Sequence, residues 1–325
     1  MNTFTIMLML SVQVTKKTVE TPEIVSLELA SPPGAPPLPR FSAGSHIDVH
    51  IKPGLVRQYS LCNHPDETDR YVIGVLRDPG SRGGSVAMHD EVNEGDILQI
   101  SEPKNHFPLA NARRSLLFAG GIGVTPILCM AERLAQTGAD FEMHYCSRSR
   151  SRTAFRERIA AASFAAKVCF HFDDGDATQK LQLADLLAGA DPETHLYVCG
   201  PCGFIEHVVD TARAQAWAAD NIHLEYFGAK TIDTSDDASF EVKIASTGRT
   251  IKIPTDKSIA QTLYENGVEI PVSCEQGVCG TCVTRVLAGE PDHRDMFFSD
   301  AEKALNNQIT PCCSRAKGKL LVLDL

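Results

Sequence analysis

Short runs of alternating apolar and polar residues occupy the first 110 positions of the chain. They are Ile24–Leu29, His46–Ile51, Arg57–Leu61, Arg70–Leu76 and Asp96–Ile100. Because successive side chains point to opposite faces of a strand, each run predicts a strand with one buried face. Prolines and glycines separate the runs, and regularly spaced short strands with such turns predict a closed antiparallel β-barrel over residues 1–110.

The pattern changes over residues 111–228, where strands alternate with helices. The predicted strands are Leu116–Ala119, Phe141–Tyr145, Val168–Phe172, His195–Cys199 and His223–Phe227, and the predicted helices include Ile127–Gln136 and Phe204–Trp217. This alternation predicts an α/β domain whose parallel sheet is covered on both faces.

A polar, acidic segment, residues 229–239, predicts a linker to a third domain. Over residues 240–325 the pattern predicts a small α+β domain. Its elements are a hairpin of Phe240–Ala245 with Thr250–Pro254, a helix over Ser258–Asn266 with Ser258 as N-cap, and the strands Val283–Leu287 and Lys319–Leu323.

Composition narrows the range of functions. The chain has 325 residues and a formal net charge of −10, which argues against nucleic-acid binding. No apolar run approaches the roughly 18 residues that predict a membrane-spanning helix. Eleven cysteines without a recognisable signal peptide predict a protein of the reducing cytoplasm.

The most specific motif is a set of four cysteines near the C-terminus. Cys274, Cys279 and Cys282 form a C-x4-C-x2-C run, and Cys312 follows after twenty-nine intervening residues. This spacing is typical of a plant-type [2Fe-2S] site, in which four thiolates hold two irons. A zinc site or reduced buried thiols are the alternatives, although zinc sites usually pair two C-x2-C hooks and residues 240–325 contain a single one, Cys279–Cys282.

A glycine-rich loop follows the first predicted strand of the α/β domain. Gly120, Gly121 and Gly123 precede Thr125 and Pro126. A strand, a glycine turn and a helix start together place a nucleotide pyrophosphate at a helix N-terminus, with Thr125 as the predicted cap and Pro126 at the first helical position. Pro126 stands where the third glycine of G-x-G-x-x-G would be, so a simple tight turn remains the alternative.

Cys199 ends the fourth predicted strand of this domain and precedes Gly200-Pro201. Ligands of open α/β sheets bind beyond the carboxyl ends of the strands. Cys199 is therefore either beside a reacting ring or simply a buried thiol before a turn.

Two further strings have the chemistry of a flavin site. Arg57, Tyr59 and Ser60 offer a cation, an aromatic face and a hydroxyl on one predicted strand, and Ser81-Arg82-Gly83-Gly84-Ser85 predicts a phosphate-binding nest. An ordinary strand and a solvated hairpin turn are the alternative interpretations.

Taken together, these strings resemble the phthalate dioxygenase reductase family, which includes reductases of vanillate demethylase. The resemblance runs from about Val12 to Leu325. The strings that carry it, in family order, are Arg57–Asn63, Arg82–Ser85, Gly120–Pro126, Cys199–Pro201, Glu225–Gly228, the cysteine loop, Asp292–Asp295 and Cys312–Lys317.

The resemblance implies an FMN-binding barrel, an NADH-binding domain and a C-terminal β-grasp ferredoxin domain. It implies that Arg57, Tyr59 and Ser60 hold the flavin, with Ser60 near the ring nitrogen that accepts hydride, and that Phe227 covers the flavin face. The other implied contacts are Gly74, Val75 and Leu76 along the ring, Arg82, Gly83, Gly84 and Ser85 around the phosphate, Gly120, Gly121, Gly123, Thr125 and Cys199 at the nucleotide, and Cys274, Cys279, Cys282 and Cys312 on the iron–sulfur cluster.

Two positions leave questions open. Arg148, Arg150 and Arg152 follow the second strand of the α/β domain, where arginine suits the 2′-phosphate of NADPH, whereas the resemblance favours NADH. Cys313 stands beside Cys312, and the resemblance assigns Cys312 as the ligand.

The function implied is that of the reductase component of a two-component aromatic-ring oxygenase. Electrons would pass from NADH through FMN and the [2Fe-2S] cluster to a terminal Rieske-type oxygenase, and a monomer suits such a diffusing donor. A reductase for another carrier and a zinc-stapled nucleotide-binding protein are the alternatives. The aromatic substrate is chosen by the oxygenase and cannot be read from this sequence.

Overall fold

The computed structural model describes residues 9–80, 83–189, 191–228 and 237–325. Two compact units are present: the first ends at Phe227 and the second begins at Gly228. The predicted linker falls largely on residues 229–236, which lie outside the described residues. Within the described ranges, the helices are too short or too polar to cross a bilayer.

The first unit begins with an antiparallel sheet that closes on itself, as predicted. Its hydrogen-bonded order is β4-β3-β6-β1-β2-β5, and a bridge between Leu61 and Ile73 joins the two ends. Its elements are β1 (Met9–Thr21), β2 (Ile24–Ala30), β3 (Ser45–Lys52), β4 (Leu55–Ser60), β5 (Arg70–Leu76), α1 (Gly84–Asp90), β6 (Ile97–Ser101) and β7 (Lys104–Asn105), the last paired with β3.

The long strand β1 lies outside the predicted runs. Its pairing with β2 shifts register between Val14 and Lys16 and again between Val19 and Thr21. Such bulges break the two-residue alternation on which strand prediction relies. Inward-facing apolar side chains of β1, β2, β3 and β5, among them Val12, Leu27, Ile47 and Ile73, form the core of the barrel.

The parallel sheet predicted for the α/β region is also confirmed, with the order β10-β9-β8-β11-β12. Its strands are β8 (Arg114–Gly120), β9 (Asp140–Ser147), β10 (Val168–Phe172), β11 (Thr194–Gly200) and β12 (Ile222–Tyr226), and its helices are α2 (Val124–Gln136), α3 (Arg156–Ala161), α4 (Leu183–Leu187) and α5 (Cys202–Ala214). The core on one face includes Leu117 and residues of α2, and the core on the other includes Leu116 and residues of α4 and α5.

The second unit contains the predicted hairpin, helix and final strands. Its elements are β13 (Phe240–Ile244), β14 (Thr250–Ile253), α6 (Ile259–Glu265), β15 (Thr284–Ala288), β16 (Pro291–Asp292), α7 (Asp300–Ala304), β17 (Gln308–Ile309), β18 (Arg315–Ala316) and β19 (Leu320–Leu323). The main sheet has the order β14-β13-β19-β15-β17, with β13 parallel to β19. Ser258 caps α6 as predicted, because its hydroxyl accepts the backbone N–H of Gln261 at 3.1 Å.

Candidate functional site

The predicted flavin residues Arg57, Tyr59 and Ser60 all lie on strand β4. Its antiparallel register opposes Arg57 to Val49 and Tyr59 to Ile47, so Arg57 and Tyr59 share one face. The Tyr59 hydroxyl is buried, and among the described residues no group hydrogen-bonds it. Burial also raises the pKa of Tyr59 well above its ordinary value, which keeps the phenol neutral. A buried hydroxyl without a protein partner suits a site that a polar ligand completes.

The loop that precedes α1 lies against Arg57. A Cβ atom added at Gly84 would lie 2.6 Å from Cγ of Arg57, so only glycine allows this approach. Gly83 has a φ of +83°, a left-handed conformation that favours glycine. The Ser85 hydroxyl accepts the backbone N–H of Asp78 at 3.1 Å. Gly84 of the predicted phosphate nest therefore adjoins the predicted cation, with Gly83 and Ser85 as its chain neighbours, while Arg82 lies outside the described residues.

Strand β5 connects the barrel to the glycine loop. Val75 is buried, Leu76 is half-buried, and a Cβ at Gly74 would lie 2.8 Å from Cγ2 of Thr125. The predicted flavin stretch Gly74–Leu76 and the predicted nucleotide residue Thr125 are thus packed together, although they are far apart in the sequence.

The glycine loop is packed backbone to backbone against the end of β11. A Cβ at Gly123 would lie 2.2 Å from the carbonyl oxygen of Cys199, and one at Gly120 would lie 2.9 Å from the Phe204 ring. Gly121 has a φ of +53°. The loop forms a 3-10 turn over Gly121–Gly123, which brings the start of α2 to the carboxyl edge of the sheet.

The prediction that Thr125 caps α2 is wrong. The N-cap is Gly123, and Thr125 is the second helical residue, with its hydroxyl donating to the carbonyl of Ile122 at 3.1 Å. Pro126 is accordingly the third helical residue and not the first. The reason is the 3-10 turn, which supplies the turn before the helix and moves the helix start toward the N-terminus.

Ser60, Cys199 and Glu225 converge from three strands. Cys199 of β11 pairs in register with Glu225 of β12, and the Ser60 hydroxyl donates to Oε2 of Glu225 at 3.4 Å. Burial raises the pKa of Glu225 to about 8, opposed by the Ser60 hydrogen bond. Burial, and then the nearby Glu225 carboxyl, raise the pKa of Cys199, so its thiol stays protonated.

The role of Glu225 was not predicted from the sequence, although the residue lies in one of the strings that carry the family resemblance. The available signal was a carboxylate near the carboxyl end of a predicted strand, two residues before Phe227. Phe227 itself follows β12 by one residue and is 38% exposed, so it is not a core residue.

In the second unit, the loop Cys274–Cys282 curls tightly around its sulfur atoms. Glu275, Gly277 and Gly280 have φ values of +51°, +72° and +72°. A Cβ at Gly277 would lie 2.4 Å from Sγ of Cys313, and one at Gly280 would lie 2.3 Å from the Phe297 ring. Both glycines are therefore required by close packing as well as by backbone conformation.

Backbone amides point at the cysteine sulfurs. The N–H of Gln276 donates to Sγ of Cys274 at 3.4 Å, and the N–H of Thr281 donates to Sγ of Cys279 at 3.5 Å. Hydrogen bonds with the thiols of Cys279 and Cys312 lower the pKa of Cys274 to about 2. Such donors stabilise negative charge on sulfur, which is the state that a bound iron requires.

The fourth sulfur is distinguished by its contacts. The Cys312 thiol is buried and contacts the thiols of both Cys274 and Cys282, which raise its pKa. The thiol of Cys313 contacts that of Cys312 and the hydroxyl of Thr310, at 3.3 Å, beside Ser314. Cys312 therefore joins the loop cysteines directly, and the four-sulfur set suits a [2Fe-2S] cluster.

Asp295 holds together the segments around the cysteine loop by hydrogen bonds. From the sequence it was predicted only as part of a string that carries the family resemblance. Its buried carboxylate accepts the backbone N–H of Phe298 at 2.9 Å and the hydroxyl of Thr310 at 3.3 Å. The N–H of Met296 donates to the carbonyl of Gly277 at 3.0 Å. The segment 295–298 thus joins the cysteine loop, through the backbone of Met296, to the segment that carries Cys312, through the Asp295 carboxylate.

Comparison with known proteins agrees with this geometry. A family model described as a 2Fe-2S iron-sulfur cluster binding domain matches residues 242–317, and one described as the N-terminal domain of a dimethylamine monooxygenase subunit DmmA-like protein matches residues 104–222. The chain is 57% identical over 304 residues to a vanillate O-demethylase oxidoreductase of Pseudomonas sp. (strain HR199 / DSM 7063), covering 93% of this chain and 96% of the relative.

The same relationship extends to a solved structure. The chain is 40% identical to a phthalate dioxygenase reductase of Burkholderia cepacia, with 93% of each chain covered. The structure titled "Phthalate dioxygenase reductase: a modular structure for electron transfer from pyridine nucleotides to [2Fe-2S]" superposes with a TM-score of 0.79 at 39% identity and covers 98% of both chains.

Proposed function

This chain belongs to the phthalate dioxygenase reductase family, and from that premise we propose that it is the reductase component of an oxygenase system. It carries electrons from NADH through FMN and a [2Fe-2S] cluster to the oxygenase. The observation that carries the proposal is the presence, in one chain, of a cluster of four thiols and of a barrel-to-nucleotide-domain junction at Ser60, Cys199 and Glu225.

The barrel residues bind and orient the flavin in this proposal. Arg57 lies against Gly84, so its guanidinium and the loop of Gly83, Gly84 and Ser85, together with Arg82, hold the phosphate. The Tyr59 hydroxyl, which no described residue hydrogen-bonds, and the backbone of Gly74–Leu76 would lie along the ring. FMN supplies the exchange between two-electron and one-electron transfer when bound.

On the nucleotide side, Gly120, Gly121, Gly123 and Thr125 bind NADH at the carboxyl edge of the sheet. Cys199 and Phe227 flank the nicotinamide, and Phe227 covers the flavin face. The Ser60 hydroxyl donates a hydrogen bond to the Glu225 carboxyl, and this bond fixes the orientation of the hydroxyl. The Glu225 carboxyl holds a proton at neutral pH because burial raises its pKa to about 8. Cys274, Cys279, Cys282 and Cys312 hold the cluster, which transfers one electron at a time.

We propose a Rieske-type oxygenase acting on an aromatic substrate as the partner, and a monomeric, cytoplasmic reductase. The relatives named for vanillate and phthalate support an aromatic system. The proposed domain limits are residues 1–110 for FMN, 111–228 for NADH, 229–239 for the linker and 240–325 for the cluster.

The decisive experiment reconstitutes the purified protein with candidate oxygenases. We expect flavin and iron–sulfur absorption bands that bleach on addition of NADH, and product formation that requires the matching oxygenase. The oxygenases of vanillate demethylase and phthalate dioxygenase are the first candidates. A colourless protein would refute the reductase, whereas bleaching without coupled product for any oxygenase would favour a reductase for another carrier.

Phe227→Ala tests the proposed flavin contact within the same assay. Removal of the ring is expected to change the rate at which NADH reduces the flavin, because nicotinamide and Phe227 compete for one face. Val19→Ala, which truncates an exposed apolar side chain of the barrel, serves as the control. Unchanged reduction kinetics in Phe227→Ala would remove Phe227 from the site.

A further inference from the structure

A cluster of metal-ligating side chains lies on the α/β sheet, apart from the cysteine loop. Glu142 and His144 are two residues apart on β9, and Cys169 pairs directly with His144 across β10. They therefore share one face of the sheet. A carboxylate oxygen, an imidazole nitrogen and the thiol sulfur all lie within 4.8 Å of one another.

The hydrogen bonds around His144 define which of its nitrogens carries a proton. Nδ1 of His171 lies 2.9 Å from the carbonyl oxygen of Gln179, which can only accept, so Nδ1 carries hydrogen. In a neutral ring, Nε2 of His171 then accepts from Nδ1 of His144, at 3.0 Å. This leaves Nε2 of His144 as a bare lone pair.

That lone pair lies close to another acceptor. Nε2 of His144 lies 3.3 Å from Oε1 of Glu142, and within the described part of the chain nothing hydrogen-bonds it. His144 is 2% exposed and its ring stacks on Phe118 at 5.3 Å, an environment that favours the neutral imidazole. A buried nitrogen and a carboxylate oxygen thus lie close together without a hydrogen bond between them.

The spacing is that of two ligands of one ion. Zinc bonds of about 2.0–2.2 Å to nitrogen and oxygen, at a tetrahedral angle, separate the two ligand atoms by about 3.3–3.5 Å. Cys169 is exposed, so its sulfur can rotate toward the pair. Glu142 is 31% exposed, which gives an ion access from solvent. Its second oxygen accepts from Arg114 at 3.0 Å and so is already occupied.

We propose that Glu142, His144 and Cys169 form a metal site that binds a borderline-soft divalent cation, namely Zn²⁺. Thiolate, imidazole and carboxylate are the ligands that zinc combines, and three of them leave a fourth position for water. Binding replaces the thiol proton of Cys169 with the ion and releases that proton to solvent. The ion then ties the edge strand β10 to β9.

His171 acts as a positioning residue, because it holds the His144 ring in the tautomer that presents Nε2. Loss of such a partner usually lowers metal affinity by about 10–100-fold. Glu142 and His144 lie in the middle of β9, and the strand continues for three residues beyond His144 to the carboxyl edge of the sheet, where nucleotides bind. Zinc is therefore expected to leave reduction by NADH unchanged, and the inference does not depend on the proposed function.

The test uses the full-length protein with its cofactors in place, freed of loose metal, and ZnCl₂ as the probe. Alkylation of Cys169 by iodoacetamide is followed by mass spectrometry, while zinc and iron contents are measured after dialysis. We expect one equivalent of Zn²⁺ to protect Cys169, to release one proton, and to leave the iron content constant.

Four variants separate ligation from other effects. Glu142→Gln and Cys169→Ser should lose the bound zinc, and His171→Asn should bind it about 10–100-fold more weakly. Arg114→Gln removes the ion pair to Glu142 but keeps the three ligands, so its zinc binding should persist. Because Cys169 is exposed, Cys169→Ser remains informative even if Glu142→Gln does not fold.

A second histidine pair provides a further control. His195 and His223 stack on the same sheet with nitrogens 2.8 Å apart but belong to no such three-ligand group among the residues described. His223→Gln should retain zinc protection of Cys169. The proposal is overturned if zinc leaves Cys169 alkylation unchanged, if Cys169→Ser binds as much zinc as the parent protein, or if iron is lost in proportion to zinc bound.

Discussion

Replacement of Glu225 by glutamine tests whether the carboxyl between the barrel and the nucleotide sheet is neutral in the folded protein. Glutamine has the same shape, and its amide oxygen can still accept the hydroxyl of Ser60. The change therefore removes the ionisation of residue 225 while retaining the hydrogen bond that holds it.

The direction of the effect follows from the raised pKa. The folded protein holds the proton of Glu225 up to about pH 8, whereas the unfolded chain releases it near its ordinary value of 4.5. Stability from this group is complete below the unfolded pKa and is lost as the pH rises toward the folded pKa. At 1.36 kcal/mol per pKa unit, the loss between about pH 5.5 and pH 8.5 amounts to about 2–4 kcal/mol.

Urea denaturation followed by the fluorescence of Trp217 measures this loss. Trp217 is the single tryptophan of the chain, belongs to the same compact unit as Glu225, and donates its indole N–H to the carbonyl of Leu187 at 3.0 Å. We expect the free energy of unfolding of the parent protein to fall by about 2–4 kcal/mol more than that of Glu225→Gln over this pH range.

Glu193→Gln is the matched control, because the Glu193 side chain is 72% exposed in the same unit. Its pH dependence should follow that of the parent protein. If Glu225→Gln also follows the parent protein, Glu225 is ionised in the folded state at neutral pH, and the argument that it holds a proton is refuted.

Three further substitutions address the other parts of the site. Gly123→Ala places a Cβ against the carbonyl of Cys199, and the displacement of the glycine loop should cost about 1–3 kcal/mol. We therefore expect the KM for NADH, measured with an artificial electron acceptor, to rise about 10–100-fold. Gly203→Ala, with open space around its Cβ, should leave that KM unchanged, and an equal effect of both would contradict the packing argument. Cys279→Ser should abolish iron–sulfur absorption while NADH still reduces the flavin, so a persisting cluster would exclude Cys279 as a ligand. Arg57→Ala should lower the FMN retained through gel filtration, and undiminished flavin would count against Arg57 as a phosphate contact.

Most helices and strands could be predicted from the residues within each element. Two predicted strands, Arg70–Leu76 and Val168–Phe172, coincide with β5 and β10. Each strand could be predicted because its pattern of apolar residues depends only on which of its own faces are buried. The spacing of Cys274, Cys279 and Cys282 likewise predicts a loop that curls around its sulfurs, since nearby residues must supply the ligands. Ser258 was predictable as an N-cap for the same reason: its partner is three residues away.

Elements that depend on neighbouring turns were less predictable. The bulges of β1 interrupt its alternation, and the 3-10 turn before α2 removes Thr125 from the cap position. Both features arise from how the backbone meets adjacent strands, which the residue pattern does not record.

What the sequence by itself determined is the order of the strands and helices, the fold class and the residue types able to bind a flavin, a nucleotide and two irons. The tertiary structure alone decided that Ser60 meets Glu225 across 165 positions and that Glu142 and His144 face Cys169 from the next strand. The physical reason is that burial, and the pKa and hydrogen-bond partners that follow from it, depend on side chains brought together by packing and not on their separation along the chain.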